Sequence, residues 1–279
     1  MKARETPSQT ALFSAAARAA HPLVDDEPHL LADEVAQRLC RATSPSPLDY
    51  QLAQPEAAVL AAARLSACTR SRYAEAVVSE AGAEQVVVIG AGLDTLANRL
   101  PPGARASVWL VDRPGVLAWR ARLFAEAGLV DAAHGVTADL AQGFDLADLA
   151  ATGVDLRRPV TVVWLGVSMY LTPQECRRFI ATLAGLADGS SLVFDHHLPA
   201  DLRNDAGKEY TQAVATMAGH VGEPWQCSPA PGTVRTWLTE HGWQVEADVD
   251  EAAATPEGFF DRQQHLSPMR LVRLVHATR

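Results

Sequence analysis

Lysine is nearly absent from this 279-residue chain, occurring only as Lys2 and Lys208, so arginine carries almost all the positive charge. With 33 acidic residues against them, the formal net charge is −9 at pH 7. That balance argues against a nucleic-acid partner, because neutralising phosphates takes clustered cations. Cysteine is scarce too. Cys40, Cys68, Cys176 and Cys227 stand far apart, with no C-x-x-C and no metal-like spacing, and read as small buried apolar residues. No metal is expected. No apolar run is long enough to span a bilayer, and residues 1–7 hold no apolar stretch of the kind a secretory signal needs. The expectation is a soluble, cytoplasmic protein with no membrane partner.

Glycine is missing at one position where it would matter. The run Val86-Val-Val-Ile89 leads into Gly90-Ala91-Gly92-Leu93-Asp94-Thr95, and a second run, Val108 to Val111, ends on Asp112 and Arg113. An apolar run, a Gly-x-Gly turn, a helix and a second apolar run closing on a carboxylate make one βαβ unit, with a nucleoside site at its carboxyl edge. Each part alone has a structural reading: the turn as a backbone device, Asp112 as a cap of the helix that Pro114 opens. Together they point to ribose hydroxyls held by Asp112. A dinucleotide fingerprint would place a third glycine at Thr95, and the Asp94 carboxylate would repel a pyrophosphate there. A nicotinamide-dependent oxidoreductase is therefore the weaker alternative. S-adenosylmethionine, which has ribose and adenine, no phosphate and a cationic sulfonium, suits an acidic loop better.

The first 82 residues read as a helical cap. Residues 10–20 are alanine-rich, 29–41 show helical spacing, 43–47 form a proline loop, and 56–79 make one bent helix or two. From residue 85 strands and helices alternate, which implies a parallel sheet covered on both faces. Strands are expected at 85–89, 107–111, 135–138, 160–165 and 191–195, with helices at 93–100, 115–127, 146–151 and 173–187. A lid-like helical insertion follows over about 199–232, with its helix at 201–221. A helix at 233–241 and strands at 243–249 and 269–276 would complete seven strands. The whole, 1–279, is expected to be one domain of α/β class with a Rossmann-like core over 83–279.

The blocks Gly90–Thr95, Val111-Asp-Arg-Pro114 and Gly166-Val-Ser-Met-Tyr-Leu-Thr172 resemble the signature blocks of the leucine carboxyl methyltransferase family, and in particular its bacterial branch, which is similar to tetracenomycin polyketide O-methyltransferases. Thr10 to Ala19, Thr69-Arg-Ser-Arg-Tyr73 and Gly222-Glu-Pro-Trp225 extend the resemblance along the chain. It implies a class I methyltransferase fold using S-adenosylmethionine and releasing S-adenosylhomocysteine. Gly90, Ala91, Gly92 and Asp94 would then line the methionine portion, Asp112 and Arg113 the ribose, and Asp139-Leu140 the adenine. Arg70 matches the arginine that pairs with the cofactor's carboxylate, Arg18 a basic position closing over the same end, and Tyr170 a tyrosine near the methyl group. Asp139 has a turn-capping alternative, Arg18 a solvated one, and Tyr170 a core one. One departure stands out. Where the family has Glu-Gly after the fourth strand, this chain has Leu165-Gly166, so no carboxylate there can accept from the cofactor's ammonium group. That motivates a second alternative, a cofactor-binding protein without methylating activity.

Methyl transfer to oxygen needs alignment and exclusion of water more than acid–base help, though a phenol gains from a base. His196 and His197, just after the fifth expected strand, form the one histidine pair beside the site, as base or substrate contact, the alternative being one histidine in the core and one on the loop. The acceptor is expected to be a small molecule bearing a carboxylate or hydroxyl, a secondary metabolite by resemblance. The oligomeric state is left open, a homodimer included.

Overall fold

The computed structural model describes residues 8–101, 103–220 and 222–279; the expectations for residues 1–7 and for Val221 as a helix end lie outside them. The helical cap comprises α1 (Gln9–Val24), α2 (Glu34–Arg41), α3 (Leu48–Ala53) and α4 (Ala58–Glu80). The region 56–79 is thus a single helix. α2 starts later than its spacing suggests because Asp33 accepts the Ala36 amide at 2.9 Å and caps it there. α3, six residues long, lies in a stretch for which the sequence pattern predicts no element.

The alternating part runs β1 (Gln85–Ile89), α5 (Leu96–Arg99), β2 (Ser107–Asp112), α6 (Pro114–Glu126), β3 (His134–Thr137), α7 (Leu146–Ala151), β4 (Thr161–Trp164), α8 (Pro173–Leu183) and β5 (Ser191–His197). The insertion helix α9 (Asp205–His220), then α10 (Pro231–Glu240), β6 (Gln244–Asp250) and β7 (Val272–Thr278) complete the chain. Among the described residues no helix is long and apolar enough to cross a membrane.

The seven strands order as β3-β2-β1-β4-β5-β7-β6. All neighbours are parallel except β7, which is antiparallel to both β5 and β6. Every residue of β1 is buried, as both faces of a doubly wound sheet must be. Val87, Ile89, Val162, Trp164 and Phe194 pack on one face with α7 and α8, and Val86, Val88, Val163 and Val193 on the other with Val77 and Val78 of α4. Trp164 stacks on Phe194, centroids 5.3 Å apart, and meets Phe179 edge-on at 4.7 Å. Each such side chain contributes about 1.5–3 kcal/mol by leaving water. α8 begins where Pro173 takes the first helical position and Thr172 and Glu175 form a reciprocal capping box.

From β1 the chain passes to β2 on one side, while β4 lies on the other. That reversal opens a crevice at the carboxyl ends of β1 and β4, where ligands of such sheets bind. The site lies there.

Candidate active site

A cavity of about 990 Å³ spans the carboxyl edge of the sheet and the underside of the cap, at the upper end of the range for small-molecule sites. It is lined by Arg18, Arg70, Gly90, Ala91, Gly92, Asp94, Asp112, Arg113, Asp139, Leu140, Leu165, Gly166, Tyr170 and His197, which stand far apart in sequence.

At its centre is the turn after β1. Gly90 and Gly92 adopt φ of +65° and +48°, where a side chain would be strained. A Cβ on Gly90 would collide with Val167, and one on Gly92 would come 2.8 Å from Ala11 of α1. Asp112 ties this turn to β2: one oxygen accepts the Gly92 amide at 2.8 Å and the other the Arg113 amide at 2.7 Å. Burial raises the pKa of Asp112, while these two N–H groups oppose the rise. Asp94 accepts the Leu96 amide at 2.8 Å, which starts α5 after the turn rather than at residue 93.

Two buried arginines brace the turn from behind. Arg18 donates to the Leu93 carbonyl at 2.7 Å and to Asp33 at 2.9 Å; Arg120 donates to the Gly92 and Asp94 carbonyls and to Asp131. Arg18 is therefore neither solvated nor a free cation over the cavity, though it reaches its wall. Asp33 also accepts from Thr95 Oγ1 at 2.6 Å and from Arg99 at 2.9 Å. Burial pushes this carboxyl up, but Arg18 and Arg99 together hold it below the usual range. Thr95, where a dinucleotide turn would have glycine, thus turns its hydroxyl into a buried network.

Across the crevice, Gly166 has φ +68° and donates its amide to Asp195 at 2.6 Å. Arg70 reaches over from α4, its Nη1 3.7 Å from Asp195 Oδ2 and its Nη2 donating to Ser14 Oγ at 2.8 Å. A Cβ on Gly166 would lie 3.2 Å from Arg70 Nη2, so glycine makes room for the guanidinium. Asp195 is fully buried and its pKa is raised by that burial, against the pull of Arg70. Arg70 faces the cavity, and Arg72, two residues on, is not among its lining. Leu165 lines the same wall, half-buried, and offers no side-chain acceptor. On the β3 side Asp139 both lines the cavity and caps its own turn, accepting the Ala141 amide at 3.1 Å.

The far end is formed by α3, α4, α9, the loop after α9 and the segment before β7. Tyr50, Leu60, Tyr210, Trp225, Met269 and Leu271 make it predominantly apolar. The histidine pair splits here. β5 continues to His197 because β7 pairs alongside it, His196 opposite Arg273 and His197 opposite Val272. Alternation along the strand then sends the two rings to opposite faces. His197 lines the cavity, edge-on to Trp225 at 4.3 Å. His196, expected beside it, instead shares the core face with Phe194, centroids 6.4 Å apart, and is withdrawn from the site. Burial lowers the His196 pKa to about 4, and burial with Arg203 and Arg70 nearby lowers that of His197 to about 3. Both rings are neutral at physiological pH. Tyr170 borders this end in a short 3-10 turn after β4, and burial raises its pKa. Cys176 and Cys227, distant in sequence, meet under the loop with Sγ atoms 3.9 Å apart.

Residues 11–184 match the family described as leucine carboxyl methyltransferase. A protein of Mycobacterium bovis, provisionally named an S-adenosyl-L-methionine-dependent methyltransferase, is 31% identical over 246 residues, covering 85% of this chain and 80% of that protein. A similarly named protein of Mycolicibacterium vanbaalenii is 30% identical over 192 residues, 66% of this chain. The match spans only 61% of that relative's length. A crystal structure from Thermobifida fusca, also provisionally named a methyltransferase, superposes with a TM-score of 0.61 over 99% of this chain and 96% of its own, at 19% identity.

Proposed function

The chain belongs to the leucine carboxyl methyltransferase family, and from that premise we propose that it is an S-adenosylmethionine-dependent O-methyltransferase acting on a small, largely apolar acceptor. The observation that carries this reading is the Asp112 carboxylate bonded to the Gly92 amide at the switch point, with Arg70 of α4 lining the same cavity. The residues present fit the cofactor. The glycine turn brings bare backbone to the cavity wall, Asp112 offers a carboxylate beside it for ribose hydroxyls, and Arg70 adds a cation to the same cavity. Asp112 would hold the ribose hydroxyls, Asp139 and Leu140 would flank the adenine, and Arg70 would pair with the carboxylate. When bound, S-adenosylmethionine supplies an electrophilic methyl group on a sulfonium and leaves as S-adenosylhomocysteine.

What the protein adds is placement. Tyr170 and the loop carrying Trp225 would border the reacting atoms and exclude water, while the apolar end holds the acceptor with its oxygen in line. His197, kept neutral by burial, is a poor proton acceptor there but an adequate hydrogen-bond acceptor. This favours an acceptor oxygen already ionised, such as a carboxylate, or a hydroxyl of low pKa, as in a polyketide-like phenol. Leu165 supports a second reading, a protein that binds the cofactor without turnover.

The test incubates purified protein with S-adenosylmethionine and a panel of aromatic acids and phenols, measuring S-adenosylhomocysteine. Formation with any member supports the transferase. Tight binding without turnover across the panel supports the second reading, and thermal stabilisation by NAD but not by S-adenosylmethionine would overturn both.

A further inference from the structure

Strand ends and the cap supply much of the cavity wall, and the loop after α9 adds a charged side chain to it. Glu223 reaches in from the loop after α9 and lines the cavity, half-buried. Its Oε2 accepts the Thr10 hydroxyl at 2.5 Å, and its Oε1 stands 3.9 Å from Arg113 Nη2. Thr10 lies in the first turn of α1 and Arg113 directly follows Asp112, so one side chain of the loop latches to both the cap and the sheet edge. The same carboxylate is close enough to Asp112 and to Tyr170 to push both groups' pKa upward, in addition to the larger effect of burial.

That placement is informative because Asp112 marks the ribose side and Tyr170 the methyl side. In S-adenosylmethionine the sulfonium is the atom that joins them. The charge of Glu223 is little offset by its neighbours: Thr10 is neutral, and the Arg113 side chain is 54% exposed, where a pair at this distance is well screened. A latch needs only a hydrogen-bond acceptor. A carboxylate in a wall that already carries Asp112 and Asp94 adds repulsion unless a cation comes between them.

Resting on the methyltransferase reading above, we propose that Glu223 is a specificity-determining residue of the loop that recognises the sulfonium charge. It favours S-adenosylmethionine, with its cationic sulfur, over S-adenosylhomocysteine, whose sulfur is neutral. Transfer of the methyl group removes the positive charge that offsets the repulsion between Glu223 and Asp112, beyond what the exposed Arg113 supplies, and so weakens the hold on the product. The loop's grip and the product's release are then set by one charge.

The experiment is calorimetric titration of both ligands into wild type, Glu223→Gln and Thr10→Val. Glu223→Gln keeps the shape and loses the charge; it is expected to weaken S-adenosylmethionine about tenfold and S-adenosylhomocysteine less than about twofold, as a single charge term at a few ångströms in a partly wet site would. Thr10→Val removes the latch and keeps the charge, and should weaken both ligands by a similar factor. Equal weakening of both ligands in Glu223→Gln, or no change in either, would overturn the proposal by reducing Glu223 to a latch or a bystander. If wild type binds neither ligand, what falls is the methyltransferase reading itself.

Discussion

Arg70 Nη1 stands 3.7 Å from Asp195 Oδ2, while the other oxygen of Asp195 holds the Gly166 amide at 2.6 Å. A buried carboxylate thus fixes both the cation expected to meet the cofactor and the backbone turn beside it. Asp195→Asn keeps an acceptor for Gly166 and removes the charge that aims Arg70. Affinity for S-adenosylmethionine should fall about 3- to 10-fold, the size of one charge-assisted contact weakened rather than lost. In a double-mutant cycle with Arg70→Ala the losses should not add, since both act through one guanidinium. Additive losses would show that Asp195 does not work through Arg70.

Asp112→Ala removes the expected ribose contact along with the acceptor of the Gly92 amide. Two charge-assisted bonds are worth on the order of 2–4 kcal/mol, so affinity for S-adenosylmethionine should drop ~30- to 1000-fold. Unchanged affinity by calorimetry would remove Asp112 from the site.

These positions differ in how far the sequence discloses them. β1 and β2 were readable because strands buried on both faces are written as unbroken apolar runs, and because Gly90 and Gly92 occupy conformations that restrict other residues. The extension of β5 through His196 and His197 was not readable, since two histidines resemble a loop until β7 pairs beside them. The Asp33 network was equally hidden. Asp33 meets Thr95 and Arg99 across more than sixty residues, and no local period encodes such a contact. Cys176 and Cys227 are a further case, apart in sequence and adjacent only once the loop after α9 folds back against the short turn beyond β4. Local pattern specified the strands and the turn; the polar supports behind them depend on which helices the tertiary fold brings together.

Leu165→Glu restores a carboxylate to a side chain that already lines the cavity at the end of β4. If the cofactor's ammonium group lacks a side-chain acceptor there, the substitution should tighten S-adenosylmethionine by about 5- to 150-fold, equivalent to roughly 1–3 kcal/mol. Calorimetric affinity no better than wild type would mean that backbone carbonyls at Gly90 and Leu165 already suffice.

Glu251 gives a prediction in pH rather than in affinity. It follows β6, is 1% exposed, accepts the Met269 amide at 3.3 Å through Oε2, and finds no hydrogen-bond partner for Oε1 among the described residues. Burial raises its pKa from 4.5 to about 7, despite the opposing pull of Ser66, the Met269 amide and Arg70. In the unfolded chain the group ionises near 4.5, so between pH 4.5 and 7 unfolding releases a proton that the folded state retains. Its contribution to stability is fully present below pH 4.5 and is lost as pH rises through 7, by about 3 kcal/mol at most. Glu251→Gln removes that titration while keeping the shape. Below pH 5 the variant should melt at or slightly below the wild-type temperature, and at pH 8 it should melt several degrees above it. Other groups add slopes of their own, His196 and His197 losing stability as pH falls below 6.5, but these are common to both proteins and cancel in the difference. Melting curves measured from pH 4.5 to 8 that run parallel for the two proteins would show that Glu251 ionises in the folded protein as readily as in the unfolded one.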